Sequence, residues 1–208
     1  MVEKSRRDHR RALVEKLISV VGSSGVGKTT LVRALSATGQ FVTGLEDHAE
    51  RPFQFLFKQD PRYALANQLD YLLYRAEQER VLRATPKIGL LDGGLDLDYH
   101  GFTRLFHHRG LLTDPELDLC RRFYEHTRTL LPPPELIIAL NASEEIISQR
   151  LAHRNRINIA SEKDSGLFNL FMDEWLSTIP PSRLLRLDVS NETSEYTDSI
   201  PLILSAIQ

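Results

Sequence analysis

The chain has 208 residues, is 41% hydrophobic and 26% charged, and carries a formal net charge of -2. That is enough chain for one full core, and it gives no global field to draw in nucleic acid or an anionic membrane. A single cysteine, Cys120, excludes an internal disulfide framework, and no apolar run approaches the length that a bilayer requires.

The N-terminal stretch carries five basic residues and one acid between Lys4 and Arg11 and has no apolar core. It reads as a charged extension over 1–15, not a secretory signal. Residues 16–208 read as one domain of a cytoplasmic protein, with contacts to neither nucleic acid nor membrane. LISVV (Leu17 to Val21) predicts a buried strand, and TTLVRALSAT a short helix ending near Gly39. FVTGL (Phe41 to Leu45) predicts a second strand. A long helix follows over about Pro61 to Ala84, with Ala64, Leu65, Leu69, Leu72, Leu73 and Ala76 on its apolar stripe. IGLL (Ile88 to Leu91) predicts a third strand ending on Asp92. Helices are expected over Tyr99 to Arg109 and Asp114 to Leu130, the latter stopped by Pro132 to Pro134. LIIAL gives a fourth strand. SEEIISQRLAHR is a helix capped by Ser143, Leu167 to Leu176 another, RLLRLDV a fifth strand, and Tyr196 to Ile207 a last helix. Strands separated by helices imply an α/β fold, a five-stranded parallel sheet covered on both faces.

Between the first strand and first helix stands GSSGVGKT, a full G-x-x-x-x-G-K-[ST] phosphate loop. Gly22, Ser23, Ser24, Gly25, Val26 and Gly27 can turn backbone N–H groups onto phosphate oxygens. Lys28 can reach the β- and γ-phosphates, Thr29 can ligate Mg²⁺, and Thr30 continues the helix N-terminus. The loop implies a nucleoside triphosphate but does not name the phosphate acceptor.

Two further stretches carry a resemblance. ERPFQFLFKQDPRYALANQLDYLLYR (Glu50 to Arg75) and LPPPELIIALNASEEIISQRLAHRNR (Leu131 to Arg156) resemble segments of the deoxynucleoside kinase family. The likeness runs from the phosphate loop to about Trp175. It implies a P-loop kinase fold, ATP with Mg²⁺, a nucleoside or similar small acceptor, and a homodimer. In that family a glutamate after the second strand is the general base; the matching residue is Glu46. Gln68 matches the base-reading glutamine, Arg75 and Asp98 its partners, and Phe102 an aromatic that packs on the base. Arg150, Arg154 and Arg156 match an arginine-rich lid, over about 150–165, that grips the transferring phosphoryl group.

The chain also departs from the family. Its D-R-S motif is here Asp92-Gly93-Gly94: the metal-side acid is kept and the arginine is gone. Phe57 stands where a tyrosine contacts the sugar 3′-hydroxyl, and Ile157-Asn158-Ile159 replaces the lid acid. The phosphate and base sides are intact, and the sugar side has lost three polar groups. The leading expectation is phosphoryl transfer to the 5′-hydroxyl of a (deoxy)nucleoside. The alternative is a weakened homologue acting as a nucleotide sensor or scaffold. Arg104 and Arg51 are candidates, on sequence proximity only, to swing into the space that the glycines leave.

Overall fold

The structure, a computed structural model, describes residues 16–44, 50–152 and 162–207, with side chains from 166 onward in the last segment. Glu46, Arg154, Arg156 and the charged extension therefore lie outside the described residues.

Five parallel strands form one sheet in the order β2-β3-β1-β4-β5. They are β1 (Leu17–Val21), β2 (Phe41–Gly44), β3 (Ile88–Asp92), β4 (Leu136–Asn141) and β5 (Leu184–Asp188). The helices are α1 (Lys28–Ala37), α2 (Pro52–Gln59), α3 (Ala64–Arg83), a composite α4 over 95–108, α5 (Asp114–Leu130), α6 (Glu144–Ala152), α7 (Glu162–Ser177) and α8 (Ser199–Ile207). The P-loop α/β class is as expected. None of the helices in the described residues is long and apolar enough to cross a membrane.

Strand alternation sorts the core into two faces. Ile18, Val20, Leu90, Leu136 and Ile138 point to one face, where α1 supplies Leu31, Val32 and Leu35 and α8 supplies Ile203. Val21, Ile137 and Ala139 point to the other, against Leu97 and Leu105 of α4 and Phe168, Met172 and Trp175 of α7. On that same face α3 packs Leu82 on Leu17 and Leu91. A satellite cluster, with Ala64, Leu72, Leu95, Phe106 and Cys120, joins α3, α4 and α5 in an outer layer. Each fully buried aliphatic or aromatic side chain contributes roughly 1.5–3 kcal/mol.

Three expectations need correction. First, α2 is a helix over a stretch that had no assigned element; Pro52 opens it, where a missing N–H costs nothing. Second, the single helix expected from Tyr99 is one α turn (Leu95–Leu97), a π-helical segment (Asp98–Thr103), then Arg104–His108. Third, the inward face of α3 is largely polar. Asn67, Gln68, Arg75 and Glu79 are buried beside Ala64, Leu72 and Ala76, whereas Leu73 is 48% exposed. A purely apolar stripe missed this, because Gln68, Arg75 and Glu79 find partners on α4 and α5.

Candidate active site

The phosphate loop leaves the end of β1 at the centre of the sheet. Its neighbours β3 and β4 run to opposite sides, the switch point where α/β folds bind ligands. Lys28 Nζ donates to the carbonyls of Gly22 and Ser23, both at 3.0 Å, so the lysine lies folded over its own loop. Two glycines are dictated by close approach. A Cβ on Gly25 would stand 2.8 Å from Leu151 of α6, and one on Gly27 would stand 2.1 Å from Tyr196 Oη. That hydroxyl donates to the Gly27 carbonyl at 3.1 Å. Arg150, expected to grip the transferring phosphate, donates to the carbonyls of Val26 (2.7 Å) and Val189 (3.1 Å). Here it straps α6 to the phosphate loop and to the exit of β5. It also borders an open cavity of about 470 Å³ with Gly25, Gly27, Thr30 and Tyr196.

At the end of β3, Asp92 is buried. Its Oδ2 accepts from Thr29 Oγ1, while Oδ1 is buried without a hydrogen-bond partner. A buried carboxylate oxygen left so is costly, and beside a threonine hydroxyl it suits a hard cation. Among the described residues no three His, Cys, Asp or Glu side chains gather as a metal cluster. Mg²⁺ takes few protein ligands and fills its shell from phosphate and water, so a carboxylate and a hydroxyl could be its protein share.

The turn after Asp92 explains the glycine pair. Gly93 has φ +86° and Gly94 φ +126°, conformations that side chains rarely adopt. The Gly93 N–H donates to Val20 O at 2.9 Å, and Ser19 Oγ donates to Gly93 O, which stitch the turn to β1. Neither Arg51 nor Arg104 fills the space beside it. Arg51 makes a bidentate pair with Asp70 (2.6 and 2.7 Å) and stacks on Tyr74; Arg104 pairs with Glu174 at 2.6 Å and lies over Phe171. The nearby guanidinium is Arg75, whose Nη2 is 3.5 Å from where a Gly93 Cβ would be. Arg75 comes from α3 and was expected only as a partner on the base side.

Arg75 is itself buried. Its Nε donates to Asp98 Oδ2 at 2.8 Å, and Nη1 donates to Gln78 Oε1 at 3.0 Å and to the Asp92 carbonyl at 3.2 Å. Gln68 Nε2 reaches the Asp98 carbonyl at 3.4 Å, and Thr103 Oγ1 reaches it at 3.1 Å. The π-helical turn thus turns Asp98 toward α3; such turns recur at functional sites. Gln68, Arg75, Asp98 and Phe102 line one narrow cavity of about 50 Å³, with Asn67 and Phe106 among its other walls. All four residues expected on the base side are brought together. Phe57, expected near the sugar, packs on Phe106 instead (centroids 5.2 Å apart) and does not line this cavity.

Sequence reasoning missed a buried ionic network behind the cavity. Arg128 of α5 donates to both oxygens of Glu79 (2.7 and 3.0 Å) and to Asp96 Oδ1 at 2.9 Å. Tyr124 Oη also donates to Asp96 Oδ1, at 2.7 Å, and lies 3.2 Å from His100 Nε2. Burial raises the Glu79 carboxyl above its usual value by more than the Arg128 charge lowers it. The two carboxylates in turn hold the Arg128 guanidinium more firmly protonated than usual, against its own burial. Burial pushes His100 down to about 4. No local spacing signals it: Arg75, four residues before Glu79, pairs with Asp98, and Glu79 pairs with Arg128, 49 residues on.

A family model described as deoxynucleoside kinase matches residues 18–201. A deoxyadenosine kinase of Dictyostelium discoideum is 28% identical over 159 residues, 76% of this chain and 63% of that enzyme's own length. A deoxyadenosine/deoxycytidine kinase of Bacillus subtilis is 24% identical over 201 residues, 92% of this chain and 93% of that enzyme. Among solved structures, the deoxyadenosine kinase of M. mycoides with the products dCMP and dCDP superposes with a TM-score of 0.75 at 19% identity, covering 92% of this chain and all of that one. The same enzyme with bound dATP gives 0.72 at 18%, covering 92% and 98%. Both share the fold.

Proposed function

The chain belongs to the deoxynucleoside kinase family, a family of phosphotransferases, and on that premise we propose that it transfers the γ-phosphoryl group of ATP to the 5′-hydroxyl of a (deoxy)nucleoside. The observation that carries the reading is Asp92. Its carboxylate is bonded to Thr29 of the phosphate loop, and its carbonyl to Arg75 of the cavity lined by Gln68, Asp98 and Phe102. One residue thereby joins the donor side to the acceptor side, as an in-line transfer between two bound molecules needs.

In this reading Gly22 to Thr30 wrap the donor phosphates with backbone N–H groups, and Lys28 leaves its loop carbonyls to neutralise the phosphate tail. Thr29 and Asp92 would hold Mg²⁺, which would supply charge neutralisation across the phosphates. Gln68, held by Asp98, presents its amide to a base edge, and Phe102 supplies a flat apolar wall. Glu46 takes the proton from the attacking hydroxyl, and Arg154 and Arg156 attend the moving phosphoryl group; these three assignments rest on the sequence. Arg150 serves by fixing the root of the lid. The chain is also proposed to act as a homodimer in the cytoplasm, apart from membranes and nucleic acid. Leu73 and Val81 of α3 and Leu119 and Leu130 of α5 are exposed apolar positions for a second copy to cover, and sedimentation at low concentration tests that part.

The test of the activity is coupled ADP release with Mg-ATP against the four deoxynucleosides, their ribo-counterparts and a blank, with Lys28→Ala as control. Acceptor-dependent release that falls at least about 100-fold in the control supports the reading. Release equal in the blank means an ATPase. Nucleotide binding without any release refutes transfer and leaves a sensor.

A further inference from the structure

Asn67 has no role in the assignment above, yet it is among the most buried polar residues of the molecule. It is 1% exposed, sits one position before Gln68 on α3, and lines the same cavity as Gln68, Arg75, Asp98 and Phe102. Its Oδ1 is buried and has no hydrogen-bond partner. The neighbouring polar groups on the cavity wall are otherwise engaged. Gln68 Nε2 donates to the Asp98 carbonyl, and Arg75 joins Asp98, Gln78 and the Asp92 carbonyl.

A buried amide oxygen with no donor is expensive for the folded chain, more so than a leucine of similar size at the same place. Such an atom in a native core calls for a reason, and a bound group that donates to it is one. The position of Asn67 on the wall of the acceptor cavity favours a ligand. Like the Asp92 Oδ1 on the phosphate side, it is a buried acceptor atom without a protein donor.

We infer that Asn67 is a specificity-determining residue whose amide oxygen accepts a hydrogen bond from a donor group of the bound acceptor, either an exocyclic amino group of the base or a sugar hydroxyl. This rests on the nucleoside kinase reading. It adds a recognition contact on the acceptor side, where Phe57 does not line the cavity and the family's sugar-side polar groups are lacking. It also sets a selection rule. An acceptor lacking the donor leaves Asn67 unpaired in a closed, water-poor site and is rejected on the order of tenfold or more.

The test is a binding cycle by calorimetry, using wild type and Asn67→Leu, in full-length protein. Three probes are used: 2′-deoxyadenosine, purine 2′-deoxyriboside, which lacks only the amino group, and 2′,3′-dideoxyadenosine, which lacks only the 3′-hydroxyl. In wild type one deletion should cost about tenfold or more, and in Asn67→Leu the same deletion should cost less than about twofold. Which deletion couples identifies the donor. The unliganded variant should also melt at or above the wild-type temperature, because an unpaired buried amide has been removed; a purely structural asparagine would give a lower one. If leucine does not fold in place, Asn67→Ala reads the same affinity ratios without adding bulk. Wild-type binding with both deletion penalties unchanged in the variant overturns the inference and leaves the kinase reading standing. Wild type that binds none of the three probes, and none of the other common deoxynucleosides, overturns both.

Discussion

Replacing Arg128 with methionine isolates the ionic network behind the cavity. Arg128 holds Glu79, which is fully buried, and Asp96, which is nearly so, through three hydrogen bonds of 2.7–3.0 Å. Methionine keeps much of the stem volume and removes the charge. Two carboxylates then remain in the core, with only the Leu95 N–H on Glu79 and the Tyr124 hydroxyl on Asp96. Breaking a buried pair this way costs about 3–5 kcal/mol. The cost should depend on pH. Burial already raises Glu79, and without the opposing cation its folded pKa rises further. An acid whose folded pKa exceeds its unfolded value binds more protons when folded, so stability falls as pH rises through the interval between the two. The defect should therefore shrink as pH falls from 7.5 to 5.5, by up to about 1.4 kcal/mol per pH unit for one proton taken up. Urea unfolding at the two pH values gives both numbers. Trp175, the only tryptophan, reports from inside the network because it stacks on His100 at 5.1 Å. A loss below about 1 kcal/mol, or an equal loss at both pH values, would refute the account of Arg128 as the counter-charge of two buried acids.

Asp92→Asn should leave the fold intact and raise the Mg²⁺ concentration needed for turnover on the order of tenfold or more; a magnesium titration of ADP release checks this, and an unchanged midpoint removes Asp92 from the metal. Gly93→Arg, which restores the family's side chain, should destabilise by about 1–3 kcal/mol. Its φ is +86° and the new Cβ would crowd Leu97 at 3.2 Å, so a neutral result in urea unfolding would show that the turn is not held as described. His100, with its pKa near 4, should stay neutral at any pH above 5, so its ring NMR shifts should be flat there. The unfolded chain binds a proton that the fold resists, so stability should fall as pH drops from about 6.5 toward 4. His100→Phe should flatten that acid limb.

The phosphate loop and the strand ends could be read from sequence because their signals are local. GSSGVGKT is contiguous, and Leu17 to Val21 is an unbroken apolar run of strand length. The base-side set of Gln68, Arg75, Asp98 and Phe102 was legible only through the family resemblance, since no spacing rule joins α3 to α4. What stayed hidden was long-range pairing. Glu79 looks like a solvent-facing helix acid until Arg128, 49 residues on, meets it. Leu73 looks like core until Asn67 and Arg75 take the inward side. Asn67 itself looks like a helix-face residue, and only its burial beside the cavity marks it. The π-helical turn could not be told from an α-helix by periodicity, because it spans one turn only.

The polar inner face of α3 bears on how the chain folds. A helix that turns Gln68, Arg75 and Glu79 inward gains less from early collapse than its apolar positions alone would give, since those groups lose water before their partners arrive. Its partners are 23 to 49 residues away, on α4 and α5, and must be ordered first. Docking of α3 should follow assembly of the apolar layer of β1, β4, α1 and α8. Arg128→Met should accordingly speed unfolding far more than it slows folding, giving a φ-value near zero, whereas truncation of Ile18 or Leu31 should slow folding itself. The acceptor cavity is then the last part of the molecule to form, and the first to open.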